Sequence, residues 1–330
     1  MFNPIKQPFC FSIFGASGDL ARLKIFPAIF ALAKQNRLPD DFIIVGFART
    51  PKSREKFQKD FADSVSHACQ KEDFPTDLCE KTVAKLLSRV FYFSGKYDNF
   101  SDFERFSEFL HSISPEAARN HVAYFSIPPS LFAPVAENLS KIRSQKGSLK
   151  IVLEKPFGGS EASAQKLFHF LSQFYQPEDI FLLDHYLGKT AVQSILHLRH
   201  NNAVLNMLLK GAHISQIQIT AHEEVGVEER VGYFDEVGIV KDMFQSHLTQ
   251  ILAMISMSIP IQMDAVSFQR EKYAILSALD FSPRVENVFL GQYEKYPVSG
   301  STTETYFAAK LKIDRESWYG VPIFVRMGKK

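Results

Sequence analysis

Cysteine is scarce in this chain, with three in 330 residues: Cys10, Cys69 and Cys79. They form no CxxC pair and no metal-ligand spacing, so neither a dithiol motif nor a metal site is expected. An odd, sparse count in a long chain favours a reducing compartment. Long apolar runs are missing too. The longest, residues 251–261, is interrupted by Ser256, Ser258 and Pro260 and cannot span a bilayer. No basic n-region followed by an apolar h-region opens the sequence, which argues against a signal peptide. Nor is there an excess of one charge: 38 Lys and Arg face 36 Asp and Glu, for a net charge of +2. Without a dense basic stripe there is no electrostatic case for nucleic acid. Internal repeats and low-complexity segments are absent, and 16 Gly with 16 Pro are too few for a disordered linker. A cytoplasmic protein with neither membrane nor nucleic-acid partners is the expectation.

The apolar fraction is 45% and the charged fraction 22%, values typical of globular chains, and the length suits two domains. Strand-like runs at 9–14, 42–47, 90–93, 121–125, 150–153 and 180–183 alternate with helical patterns. The clearest helix opens at Ser160 as N-cap and places Ala164, Leu167, Phe168, Leu171 and Phe174 on one face. Such alternation implies an α/β, doubly wound, Rossmann-type parallel sheet over residues 1–184. Beyond residue 200 the pattern changes. A strand-like run at 214–220 precedes an acidic, Gly-containing stretch, one long helix over 234–258, a helix over 265–279, and alternating runs at 306–313 and 321–327. Residues 185–330 therefore read as an α+β domain with a mainly antiparallel sheet.

The most informative residues are Asp184-His185-Tyr186-Leu187-Gly188-Lys189. They follow the apolar run Ile180-Phe181-Leu182-Leu183, which reads as a buried parallel strand, and precede a helical pattern. Ligands of open α/β sheets bind beyond the carboxyl ends of strands. A carboxylate, an imidazole and a cation crowded there suit one small polar ligand, whereas capping alone would use only the Asp and the Gly. A second such junction carries Gly15-Ala16-Ser17-Gly18-Asp19-Leu20-Ala21, after the first strand and opening a helix. Its spacing is GxxGxxA rather than GxGxxG. Glycines there allow close approach of the backbone to a pyrophosphate, although a bare strand-to-helix turn looks similar. The second strand ends Gly46-Phe47-Ala48-Arg49-Thr50, without the acidic residue that would hold an NAD ribose. Arg49, helped by Ser17, could clamp a 2′-phosphate, which favours NADP; a solvated loop Arg is the alternative.

Taken together these motifs resemble glucose-6-phosphate dehydrogenase along nearly the whole chain. The matching stretches are GASGDLA at 15–21, GFAR at 46–49, EKPFG at 154–158, DHYLGK at 184–189, GYFDE at 232–236 and QSHLTQ around His247. Near the end come Gly320-Val321-Pro322 and Arg326-Met327-Gly328-Lys329. The resemblance implies oxidation of glucose 6-phosphate at C1, with NADP+ accepting the hydride, and a homodimer for a full-length form. His247 matches the family's base, although from its apolar helix face alone a satisfied core histidine is the commoner reading. Asp184 matches the carboxylate that orients it. His185, Tyr186 and Lys189 match the phosphate cluster; Glu223, Asp242, Lys155 and Lys329 match further substrate contacts. Glu223 rather than Glu224 follows from counting back from Gly232. Gly15, Ser17, Gly18, Asp19, Leu20, Lys24, Arg49 and Lys155 are the implied coenzyme contacts.

The family's chains continue past Arg-Met-Gly-Lys, whereas this one stops at Lys330. On that ground the run at 321–327 is expected to be an unpaired apolar strand and a template for self-association. The sheet face carrying Phe307, Leu311 and Ile313 is expected to be part-covered. Two other readings accompany the dehydrogenase: a sugar or inositol oxidoreductase of related architecture, and a truncated, non-catalytic NADP-binding protein. The His185 and Lys189 cluster speaks against an unphosphorylated polyol.

Overall fold

The computed structural model describes residues 6–71, 75–280 and 287–330, and the chain separates into two compact units, Met1–Leu183 and Asp184–Lys330. The division falls before Asp184 rather than after it, so that Asp184 groups with the helices of the second unit.

In the first unit six strands, β1 (Phe9–Phe14), β2 (Phe42–Ala48), β3 (Val90–Ser94), β4 (Asn120–Phe125), β5 (Ser148–Glu154) and β6 (Ile180–Leu183), form one parallel sheet in the order β3-β2-β1-β4-β5-β6. That order is the doubly wound one, and its direction reverses between β1 and β4, where a ligand crevice is expected. Helices cover both faces, giving two separate apolar clusters. One is built on Phe14, Phe47, Phe103, Phe106 and Phe125, the other on Phe26, Phe57 and Phe61. The Phe47 ring lies 4.8 Å from Phe14 and 5.1 Å from Phe106, in the separation range that aromatic pairs prefer. Ser160 caps the helix Glu161–Leu171 through a reciprocal bond pair with Ser163, as its position suggests.

Two expectations need correction here. Strand β6 is parallel but not buried: it is the sheet's edge, and Phe181 and Leu182 are about half exposed. Cys69 and Cys79 are joined in a disulfide linking the helices Arg54–Lys71 and Thr76–Leu87. Nothing in their spacing signals it, because the pairing comes from helix packing. Cys10 is buried without a disulfide.

The second unit holds β7 (Ile217–Glu223), β8 (Leu279–Asp280), β9 (Val288–Gly291), β10 (Tyr306–Ile313) and β11 (Ile323–Lys329). Strand β10 pairs antiparallel with β8, β9 and β11, while β7 runs parallel to β11. The last strand is therefore central, not an unpaired edge, because the earlier β7 occupies its outer side. Phe307, Leu311 and Ile313 are buried against the helices, contrary to the part-covered face expected for them. The long helix over 234–258 is also broken. A helix Val231–Ile239 contains Gly238 in a non-helical conformation (φ +69°), and a π-helix, Val240–Leu248, then runs into the α-helix Thr249–Ser256. The helix read over 265–279 ends at Leu276. Among the described residues no helix is long and apolar enough to cross a membrane.

One buried group in the first sheet makes stability depend on pH. His121 on β4 lies against Ser12 of β1, with Nε2 and Oγ 2.6 Å apart, and burial pushes its pKa down to about 4. The folded state holds it neutral, so the unfolded chain binds the extra proton between the two pKa values. Stability is then complete above the unfolded value of about 6.5 and falls by up to roughly 3 kcal/mol as pH drops toward 4. Urea titrations across that window should show this slope in the wild type, and a flatter one in His121→Gln.

Candidate functional site

Asp184 terminates the run that begins as β6, and the next five residues turn back before the helix Thr190–Asn201 begins. The turn is held locally. The Asp184 carboxylate accepts the Tyr186 N–H through Oδ1 (2.9 Å), and backbone bonds run from Leu187 to Asp184 and from Lys189 to Tyr186. The same Oδ1 lies 2.6 Å from His247 Nδ1. A carboxylate can only accept, so Nδ1 carries the proton and Nε2 is the basic nitrogen. His247 is 1% exposed and Asp184 more open, which makes this a mostly desolvated, charge-assisted bond.

The Tyr186 ring stacks on the His247 imidazole, with centroids 4.2 Å apart and planes 18° from parallel. His185 meets the same imidazole edge-on at 4.6 Å, and Lys189 Nζ lies 3.7 Å over the Tyr186 ring. Burial pushes the Tyr186 hydroxyl pKa up, and the nearby charges of Glu223, Asp242 and Asp184 push the same way. The ligand atoms of Asp184, His185 and His247 lie within 4.8 Å of one another, but the direct Asp184–His247 hydrogen bond makes proton transfer the simpler use of that cluster.

The π-helix explains how Asp242 joins His247. At about 100° per residue, an α-helix would set residues five apart roughly 140° from each other. Bonding from i to i+5 widens the turn and brings such pairs toward one side. Both residues are buried, Asp242 at 6% exposed, with Arg230 3.9 Å away. Glu223 and Lys329 meet through register instead, since β7 and β11 run parallel with Glu223 opposite Lys329. Their side chains form an ion pair, and Lys329 also lies 5.1 Å over the Phe234 ring. Glu224 is exposed beyond the strand end. Lys272 is a residue the sequence reading missed. Burial pushes its pKa down while Asp184 pulls the other way, which places its ammonium in the field of that carboxylate. It belongs to the helix Ala265–Leu276, which carries no motif.

The remaining candidates stand in the first unit. Gly15 ends β1 with φ +88°, and its N–H donates to Phe47 O while its carbonyl accepts from Gly18. A Cβ at Gly15 would lie 2.0 Å from Ser126 O, so only glycine fits this turn. Ser17 and Asp19 are exposed at the turn, and Leu20 packs its side chain against the core, leaving its backbone for a ligand. Lys24 is exposed on the π-turn Ala21–Ile25 that continues into the helix Phe26–Lys34. Arg49 follows β2, exposed, with its guanidinium 5.7 Å over the Tyr97 ring. The glycine turn lies at the β1–β4 reversal point, with backbone N–H groups and a following helix start, and Arg49 stands beyond the next strand. These residues fit a dinucleotide whose ribose bears a phosphate. Lys155 follows β5 and joins Pro156 through a cis peptide bond.

Residues 12–194 match the family model for the glucose-6-phosphate dehydrogenase NAD binding domain, and residues 196–330 match that for the glucose-6-phosphate dehydrogenase C-terminal domain. A glucose-6-phosphate 1-dehydrogenase of Schizosaccharomyces pombe is 36% identical over 98% of this chain and 67% of that relative. The chloroplastic glucose-6-phosphate 1-dehydrogenase 1 of Arabidopsis thaliana is 35% identical over 96% of this chain, which spans 57% of that relative's length. A solved glucose-6-phosphate dehydrogenase in complex with glucose-6-phosphate superposes over 100% of this chain and 70% of its own, with TM-score 0.89 and 30% identity.

The Gly15 turn gives the first test of this geometry. Gly15→Ala forces a side chain into positive φ against a carbonyl, and should destabilise the first unit by about 2 kcal/mol or more. Chemical denaturation of the variant against wild type measures it.

Proposed function

The chain belongs to the glucose-6-phosphate dehydrogenase family, and on that premise we propose that it oxidises glucose 6-phosphate at C1 to the 6-phosphoglucono-lactone, the first step of the oxidative pentose phosphate pathway. The observation that carries the reading is the Asp184–His247 pair, with Asp184 in one turn with His185, Tyr186 and Lys189, whose two rings meet the imidazole and whose ammonium lies over the Tyr186 ring.

In this reading His247 Nε2 takes the proton of the C1 hydroxyl as the C1–H bond breaks. Asp184 keeps the imidazole in that tautomer and stabilises the imidazolium that forms. His185 and Lys189, with the Tyr186 hydroxyl, hold the sugar phosphate. Glu223, Asp242 and Lys329 accept from and donate to the sugar hydroxyls, which would exchange with the Glu223–Lys329 ion pair. NADP, when bound, supplies the hydride acceptor, and Gly15, Ser17, Gly18, Asp19, Leu20, Lys24 and Arg49 are the residues proposed to hold it. Lys155 is assigned to both coenzyme and sugar. A homodimer of the full-length form and a cytoplasmic setting belong to the same proposal.

Two substitutions test the roles. His247→Asn keeps polarity and approximate size, and should lower kcat by roughly two to four orders of magnitude with little change in sugar binding. Near-wild-type kcat across neutral pH, followed by the absorbance of the reduced nicotinamide, would make His247 a core residue. Arg49→Ala should raise KM for NADP+ about ten- to a hundredfold and leave KM for NAD+ nearly unchanged, the scale of a lost charge-assisted contact. An equal loss with both coenzymes would point to misfolding rather than recognition.

A further inference from the structure

The helix that carries Asp242 and His247 begins at Val240, and no side chain of its own caps it. Its first N–H groups lack intrahelical acceptors, a need usually met by a Ser, Thr, Asp or Asn just before the helix. Here that place is held by Ile239, which has no acceptor to offer. The acceptors come instead from 64 residues further along the chain. Glu304 Oε1 accepts the Val240 N–H (3.2 Å), and the Glu304 carbonyl accepts the Ile239 N–H (3.0 Å).

The neighbouring residues are arranged around this contact. Gly238, at φ +69°, lies so close that a Cβ there would sit 2.3 Å from Glu304 Oε1. Thr303 Oγ1 donates to the Asp235 carbonyl (2.8 Å) and Ser301 Oγ to the Asp235 carboxylate (2.5 Å), fixing the same strap against the preceding helix. On the far side, the Thr305 carbonyl accepts the Lys329 N–H (3.0 Å). The strap 301–305 therefore touches the start of the helix and the backbone of Lys329 together. A carboxylate at a helix N-terminus also meets the positive end of the helix dipole.

We propose that Glu304 is a positioning residue: it caps in trans the helix bearing Asp242 and His247, and so sets the His247 imidazole against Asp184. Asp242 lies in the first turn, which the cap orders directly. His247 lies further along the same π-wound stretch, whose start the cap holds. This inference rests on the reading of His247 as the base.

The test compares wild type with Glu304→Ala, Glu304→Gln and Glu304→Asp in the full chain. Turnover is measured with glucose 6-phosphate and NADP+, alongside the downfield proton resonance of the His247 Nδ1–H···Asp184 bond. Losing a cap acceptor should lower kcat about tenfold in Glu304→Ala, while Glu304→Gln, which keeps an acceptor oxygen, should stay within about twofold of wild type. KM for NADP+ should be unchanged. The His247 resonance should shift or broaden in the Ala variant and return in the Gln variant. Should Glu304→Ala fail to fold, Glu304→Asp, one methylene short, should show the same two effects at smaller size. A variant that melts at lower temperature with unaltered kcat and unaltered His247 resonance would overturn the proposal, leaving Glu304 a stabilising residue only. If the wild-type chain shows no turnover, the dehydrogenase reading fails by itself, and the resonance still decides the role of Glu304.

Discussion

A buried imidazole must place the proton on its inner nitrogen against an acceptor, or lose a hydrogen bond where no water replaces it. In this chain the acceptor for His247 is Asp184. That one bond joins the first residue of a strand-to-helix turn to a helix 63 residues later, and the arrangement around it follows. Asp184 can serve both His247 and the Tyr186 N–H only if the turn folds tightly after β6. The tight turn brings the Tyr186 ring flat onto the imidazole and lifts Lys189 over that ring. The imidazole is then fixed in tautomer by the carboxylate and in plane by the phenol, which is the condition for a general base whose geometry survives without substrate.

The parallel sheet of the first unit was legible because its strands are apolar runs bounded by helical periodicity. Every strand run read there is a strand, with bounds moved by no more than two residues. Position in the sheet was not legible, since Ile180-Phe181-Leu182-Leu183 has the apolar character of a central strand and yet occupies the edge. The cause lies in order, not in composition: among the described residues no later strand joins that side. The long helix over 234–258 failed for a different reason. Its apolar residues keep a helical spacing on both sides of Gly238, and nothing in the pattern shows that this glycine takes positive φ or that the next turn winds as a π-helix.

Site residues divide along the same line. Asp184, His185, Tyr186 and Lys189 were legible because they are contiguous, and a hexapeptide can be weighed as one constellation. His247 was ambiguous from spacing, because an inward histidine on an apolar face has the same signature whether it serves packing or catalysis. The bond to Asp184 is what supports the proposed catalytic role, and that bond is a tertiary fact. Lys272 carries no local signal: it is an ordinary lysine on a helix whose relation to Asp184 arises only in three dimensions. The Cys69–Cys79 bond is of the same kind, made by two helices brought together rather than by a motif.

The place of β11 shows how sheet order and site chemistry are linked. A strand at the end of a sequence would ordinarily be assigned to an edge, but β7 runs parallel to it on one side and β10 antiparallel on the other. Central placement buries Ile323, Val325 and Met327 in the core of the second unit, so the strand cannot slide without exposing them. Fixed register in turn sets Lys329 opposite Glu223, at the carboxyl ends of two parallel strands. A lysine only 7% exposed needs a counter-charge close by, and the register supplies one without any loop having to reach in. The apolar residues of β11 thus do two things at once: they close the core of the second unit, and they hold the ammonium group of Lys329 where a carboxylate can meet it.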